Sequence, residues 1–259
     1  MSENSPVSDS AEASPGTLKA KINAGDHLLG VLLRVPAEEL VEMAAISGFD
    51  FVFIDCEHGP ADLVEVRRHV ALASLHGVPS LVRVGSEEPG LILRVLDGGA
   101  AGVIAPHIDT ADGAQALVES AHYPPLGHRG FATYSRAGRF GSVNPEAHRR
   151  SALANTVVVA MIESPQGVQN AAAIAGTPGI DAVMIGVADL RTALTPANPG
   201  FDDAVRQVND ALAAGAAARL DIVPGRAAAE AAFADGAQLV VYNLTHALMA
   251  HLAELNQAR

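Results

Sequence analysis

Eight short apolar runs, each closed by turn residues and separated by longer stretches of helical spacing, constrain this chain more than any other feature. The runs are LLGVLLRV (28–35), FVFIDCE (51–57), SLVRV (80–84), GVIAPHI (102–108), VVVAMIES (157–164), AVMIGVA (182–188), IVPG (222–225) and LVVYNLT (239–245). They are continuous rather than alternating, the pattern of strands buried on both faces and hence of a parallel sheet. The intervening segments, such as PAEELVEMAAIS and EPGLILRVLDGG, repeat apolar residues every three or four positions. A helix is expected to stop at Gly77. Eight strand–helix units predict a single-domain (β/α)8 TIM barrel over 17–259. A doubly wound open sheet is the alternative, weakened because no GxGxxG follows the first strand. The connection from Tyr123 to Asn155, holding YPPLGHRGFATYSRAGRFGSV, is too long for a simple helix–strand link and implies function.

Composition narrows the partners. A net charge of −12 argues against nucleic acid or an anionic membrane surface. The single cysteine, Cys56, excludes an intramolecular disulfide and suits a reducing cytoplasm. Residues 1–16 are polar and acidic, without the apolar segment of a signal peptide, and read as a disordered leader. No stretch reaches the roughly 18 uncharged apolar residues of a membrane span.

In a barrel of this kind the chemistry sits where strands end. In order, those ends supply Arg34, then Asp55, Glu57 and His58, then Arg83, His107, Glu163, Asp189 and Asn243. Alternation along the second run puts Phe53, Asp55 and Glu57 on one side, with Ile54 and Cys56 on the other. If the first set faces the barrel mouth, its acids meet Glu163 and Asp189. Carboxylates gathered in one cavity repel unless a cation neutralises them. The oxygen-rich set suits Mg2+ or Mn2+, with Co2+, Ni2+ or Zn2+ as alternatives, and Glu163 and Asp189 are the preferred ligands. The only lysines, Lys19 and Lys21, precede the first strand. A Schiff-base mechanism needs a lysine inside the barrel, so carbonyl chemistry here calls for a Lewis acid.

The residues GFDFVFIDCEHGPAD, VRV at 82–84, YPPLGHRG running into SRAGRF, and MIESPQGVQNAAAIAGTPGIDAVMIGVADL resemble the HpcH/HpaI family of class II pyruvate aldolases. The resemblance runs from about Ala20 to the C-terminus. It implies a metal-dependent barrel that makes or cleaves a carbon–carbon bond between a pyruvate-like enolate and an aldehyde. Glu163 and Asp189 would bind the metal, with Glu57 behind them. Arg83 would hold the keto oxygen, and His58, oriented by Asp55, would move protons through a water. Backbone N–H groups around Gly186 and Ala188 would grip the pyruvate carboxylate. A homo-oligomer, commonly a hexamer with exchanged C-terminal helices, is implied as well. Alternatives on the same scaffold are oxaloacetate decarboxylation, a citrate-synthase-like condensation, and a non-catalytic 2-oxo-acid-binding protein.

The chain departs from the family pattern at Met161, Val187, Arg191, Leu32 and Arg34, in the shortened segment TALTPANPG, and at the strand end VYNLT. These are positions expected to face the second substrate. Arg34, Arg136, Arg139 and Arg191 are therefore candidates to draw an anionic acceptor to the mouth. Cys56 reads as a structural thiol, and His107 and Asn243 as packing or polar filler rather than catalytic residues.

Overall fold

Eight parallel strands pair in sequence order, and the last returns to the first. The structure, a computed structural model, describes residues 13–85 and 88–257. The strands are β1 (Leu28–Leu33), β2 (Phe51–Asp55), β3 (Ser80–Arg83), β4 (Gly102–Ala105), β5 (Val157–Ile162), β6 (Ala182–Ile185), β7 (Ala218–Val223) and β8 (Leu239–Asn243). Closure removes the sheet edges and selects the barrel over the open sheet. Helix α1 (Leu18–Ala24) precedes β1. Then α2 (Glu38–Ile46), α3 (Leu63–Leu75), α4 (Pro89–Asp97) and α5 (Ala111–Ala121) follow the first four strands in turn. Next come α6 (Pro145–Asn155) before β5, α7 (Pro165–Gln169) and α8 (Ala171–Ala175) after it, and α9 (Val187–Ala193) and α10 (Phe201–Ala213) after β6. Finally α11 (Arg226–Ala234) follows β7 and α12 (Leu244–Asn256) follows β8.

Alternation divides the core into two layers. Leu32, Phe51, Phe53, Leu81, Ile104, Met161, Met184 and Leu220 fill the barrel interior. Their neighbours Val31, Val52, Ile54, Val82, Val103, Val158 and Ile162 pack against the helices. Both faces are buried, which is why the runs show no polar alternation. Gly30 makes room inside, since a β-carbon there would lie 2.6 Å from Phe51 Cζ.

Helix α1 closes the end where the strands begin, and Leu18 and Ile22 join the interior layer. Thr17 caps this helix, and the Ser14 N–H donates to Asn155 Oδ1 at 2.8 Å, so residues 14–17 are tethered while 14–16 stay exposed. The rest of the expected leader, residues 1–12, lies outside the described residues. Both lysines belong to this end: Lys19 pairs with Asp181 at 3.0 Å and Lys21 with Asp50 at 3.2 Å.

Two expectations need correction. The seventh strand starts at Ala218, four residues before the run read from sequence, because Arg219 and Asp221 interrupt the apolar pattern. These two side chains pair with each other at 2.9 Å. The run at 182–188 ends as a strand at Ile185, and its last residues open α9. The long connection holds a 3-10 turn at Arg139–Gly141 and α6. As a helix-to-strand link it sits on the face where strands begin.

Candidate active site

The alternation that buries Phe51 and Phe53 also turns Asp55 inward at the end of β2, opposite its register partner Arg83 on β3. Arg83, 3% exposed, donates from Nε to Asp55 Oδ1 at 2.9 Å and from Nη2 to Oδ2 at 2.5 Å. Arg34 Nε donates to Oδ2 at 2.9 Å, and the backbone N–H groups of Glu57 and His58 donate to Oδ1 at 3.1 and 3.2 Å. Burial alone would raise the pKa of Asp55. The hydrogen bonds and charge of Arg83, aided by the His58 N–H and Arg34, outweigh it and hold the carboxyl below its usual range. Asp55 is thus a fixed anion that positions Arg83 and the following turn.

The expected Asp55–imidazole contact is replaced by a backbone one. The His58 ring is about half exposed, with Nε2 3.9 Å from Glu57 Oε2. That Glu57 oxygen is buried and has Arg83 Nη1 at 3.1 Å, an ion-pair distance, yet no donor aligned for a hydrogen bond. Across the cavity Glu163, buried just beyond β5, accepts the His107 backbone N–H on Oε1 at 2.8 Å. Nδ1 of the same histidine lies 2.8 Å from that oxygen. Burial pushes the Glu163 pKa up, His107 opposes the shift, and the charges of Asp189 and Glu57 add to it.

Ligand atoms of Glu57, His107 and Glu163 all lie within 4.8 Å of one another. Asp189, exposed in the first turn of α9, stands outside that group but close enough for its charge to act on Glu163. A buried carboxylate with a raised pKa, facing a second carboxylate with an oxygen lacking a hydrogen bond, is what a divalent cation relieves; the residues fit such an ion.

Gly186 leaves the space the Glu163 carboxylate occupies. A β-carbon there would overlap Glu163 Oε2 and lie 2.6 Å from Met161 Cε. Gly186→Ala should therefore displace Glu163 and weaken divalent-ion binding by about 10- to 100-fold, comparable to losing a residue that orients a ligand. Calorimetric titration of protein whose circular dichroism matches the parent checks this. The Gly186 N–H itself donates to Ile162 O at 2.9 Å and is not free to hold a substrate carboxylate. Ala188 lies at the start of α9, which has no side-chain cap.

The four arginines expected at the mouth do not assemble there within one chain. Arg34 stands beside Asp55 and gives it Nε, with its side chain part exposed. Arg191 stacks on Phe201, its Cζ 3.5 Å from the ring centre. Arg136 donates to Ala71 O at 3.4 Å beside Gly99, and Arg139 lies in the same connection, on the face where strands begin. Met161, from the interior layer, puts Sδ 3.8 Å from Arg83 Nη1. Burial, with the adjacent Asp55 charge, pushes the Cys56 thiol up to about 12, which disfavours the thiolate. Asn243 caps α12 through the His246 N–H.

His107, read from the sequence as packing or polar filler, stands beside Glu57 and Glu163 in the structure. Its one signal was position, just past a strand end. The run GVIAPHI leaves β structure at Ala105, and His107 has φ +57°, so period-two alternation cannot say where its ring points.

A closed parallel barrel whose acids, arginine and imidazole converge at the strand C-termini has the architecture of a (β/α)8 enzyme. The HpcH/HpaI aldolase/citrate lyase family model matches residues 29–248, and the chain belongs to that family. It is 34% identical over 195 residues to a pyruvate aldolase of Rhizobium etli, covering 75% of this chain and 76% of the relative. It is 37% identical over 184 residues to a hydroxypyruvate/pyruvate aldolase of Paraburkholderia phytofirmans, covering 68% and 70%. A solved HpcH/HpaI aldolase/citrate lyase family protein from Burkholderia cenocepacia superposes with a TM-score of 0.85 at 29% identity, covering 93% of this chain and 98% of that one.

Proposed function

We propose that this chain is a metal-dependent pyruvate aldolase, catalysing reversible aldol chemistry between pyruvate, or a close 2-oxo acid, and an aldehyde. The observation that carries the reading is the Asp55–Arg83 pair beside the Glu57–His107–Glu163 group, at the end of the barrel away from both lysines. Glu163 and Asp189 would hold the ion, with Glu57 next to them, and their oxygens suit Mg2+ or Mn2+. When bound, the ion supplies Lewis acidity that favours loss of a proton beside the keto group. Arg83 keeps N–H donors beyond the two given to Asp55, and these hold the keto oxygen where negative charge develops. Such an interaction is worth about 3–4 kcal/mol in the transition state. His58, on the rim, exchanges protons with a water, and N–H groups near Ala188 hold the carboxylate.

Solvent deuterium should enter the pyruvate methyl group in the presence of a divalent ion and stop on chelation, as read by proton NMR. No exchange by the metal-loaded protein would reject the enzyme reading in favour of 2-oxo-acid binding alone. Oxaloacetate decarboxylation with no aldehyde turned over would point to the decarboxylase alternative.

Assembly belongs to the same proposal. Helix α12 exposes Leu248, Met249, Leu252 and Leu255. Together with Leu33, Val35 and Leu40 it borders an apolar groove of about 200 Å3. A second copy of the chain covering this face agrees with the hexamer implied by the family resemblance. Among the described residues no helix is long and apolar enough to cross a membrane.

A further inference from the structure

The imidazole at the cation site introduces a donor of a different kind from the carboxylates around it. His107 is held at two points by one oxygen. Its backbone N–H donates to Glu163 Oε1 at 2.8 Å, and its Nδ1 lies 2.8 Å from the same atom. With Nδ1 this close to Glu163 Oε1, Nε2 is the ring nitrogen that remains to serve an ion. Nε2 stands 3.9 Å from Glu57 Oε1. Glu57 and His107 would thus be near enough to hold one ion together with Glu163. A carboxylate that orients the far nitrogen of a metal-binding histidine is a recurrent arrangement in metal sites. His107 has a left-handed backbone, and its ring lies against Glu163.

We propose that His107 Nε2 is a direct ligand of the divalent ion in this chain, so that the site favours nitrogen-binding ions such as Co2+ and Ni2+ over Mg2+ more than carboxylates alone do. The inference rests on the metal-dependent reading of the site. Mg2+ prefers oxygen donors and keeps its waters, whereas affinity for an imidazole nitrogen rises along the first-row series towards Ni2+ and Cu2+. Replacing the nitrogen with an oxygen donor therefore costs Co2+ much and Mg2+ little.

The test uses the full chain, stripped with chelator and titrated calorimetrically with Co2+ and with Mg2+, beside His107→Asn. Asparagine tolerates the positive φ and offers an oxygen. Co2+ affinity is expected to fall about 10- to 100-fold in the variant, with Mg2+ affinity changed less than about threefold. In the parent loaded with Mn2+, pulsed electron spin resonance should detect coupling to an imidazole nitrogen, a readout that needs no variant. Parent protein that binds both ions without nitrogen coupling, or a variant that loses both affinities equally, overturns the role of His107 and leaves the carboxylate site standing. Parent protein that binds neither ion overturns the metal site itself, and this inference with it.

Discussion

Arg83→Ala is expected to lower kcat/KM for pyruvate-dependent exchange and aldol cleavage by about a thousandfold, and to cost the fold about 3–5 kcal/mol. Both effects have one origin. The Asp55 side chain has no exposed surface, and Arg83 gives it two of its five donors and most of its compensating charge. Removing the guanidinium leaves a buried anion held by Arg34 and two backbone N–H groups, and takes from Glu57 Oε2 the cation 3.1 Å away. Arg83→Lys should recover less than a tenth of the lost rate, because a single ammonium cannot donate along two parallel lines to Asp55 and also reach Glu57. Steady-state kinetics at saturating dication, with urea unfolding of the same samples, separates the two losses. A folded Arg83→Ala protein within tenfold of the parent would remove this arginine from the reaction.

Glu163→Gln should abolish dication-dependent exchange and yet make the metal-free protein more stable at neutral pH. Burial raises the Glu163 pKa above its unfolded value near 4.5. The folded chain therefore holds this proton more tightly than the unfolded one. The stability this contributes is complete below the unfolded value and is lost as pH rises through the folded one. Above its raised folded value the chelated parent carries an ionised buried carboxylate, whereas glutamine accepts the same His107 N–H without a charge. In chelator, the melting-temperature advantage of the variant should grow as pH rises above about 4.5 and level off once the folded carboxyl has ionised. In saturating dication the order should reverse, since the parent gains about 2.7 kcal/mol at a hundred times Kd and the variant gains little. A chelated parent that melts above the variant across this whole range would contradict the assignment of Glu163 as the strained ligand.

The fold was legible because burial on both faces of a closed sheet leaves long apolar runs, and seven of the eight strands carry that mark plainly. The β7 strand hid because Arg219 neutralises Asp221 and lets two charged residues sit in a strand. Asp55, Arg83 and Glu163 were readable as neighbours because strands project side chains with a fixed period of two, and parity survives to the strand ends. Beyond those ends the rule fails. His107 turns on a left-handed residue, and Arg136 lies in a connection whose spatial position depends on which end of the barrel it spans. Arg34 was visible as a charge, but its partner was fixed only by β1 lying beside β2.

The two lysines tethered at the base of the barrel carry a chemical consequence of their own. Aldehydes condense with free amines, and a protein that handles them at high local concentration is exposed to glycation by its own reactants. Here the catalytic rim presents guanidinium, imidazole and carboxylate groups and no lysine amine. The reactive carbonyl is met only by side chains that do not readily form imines, which spares the rim from accumulating adducts over many turnovers.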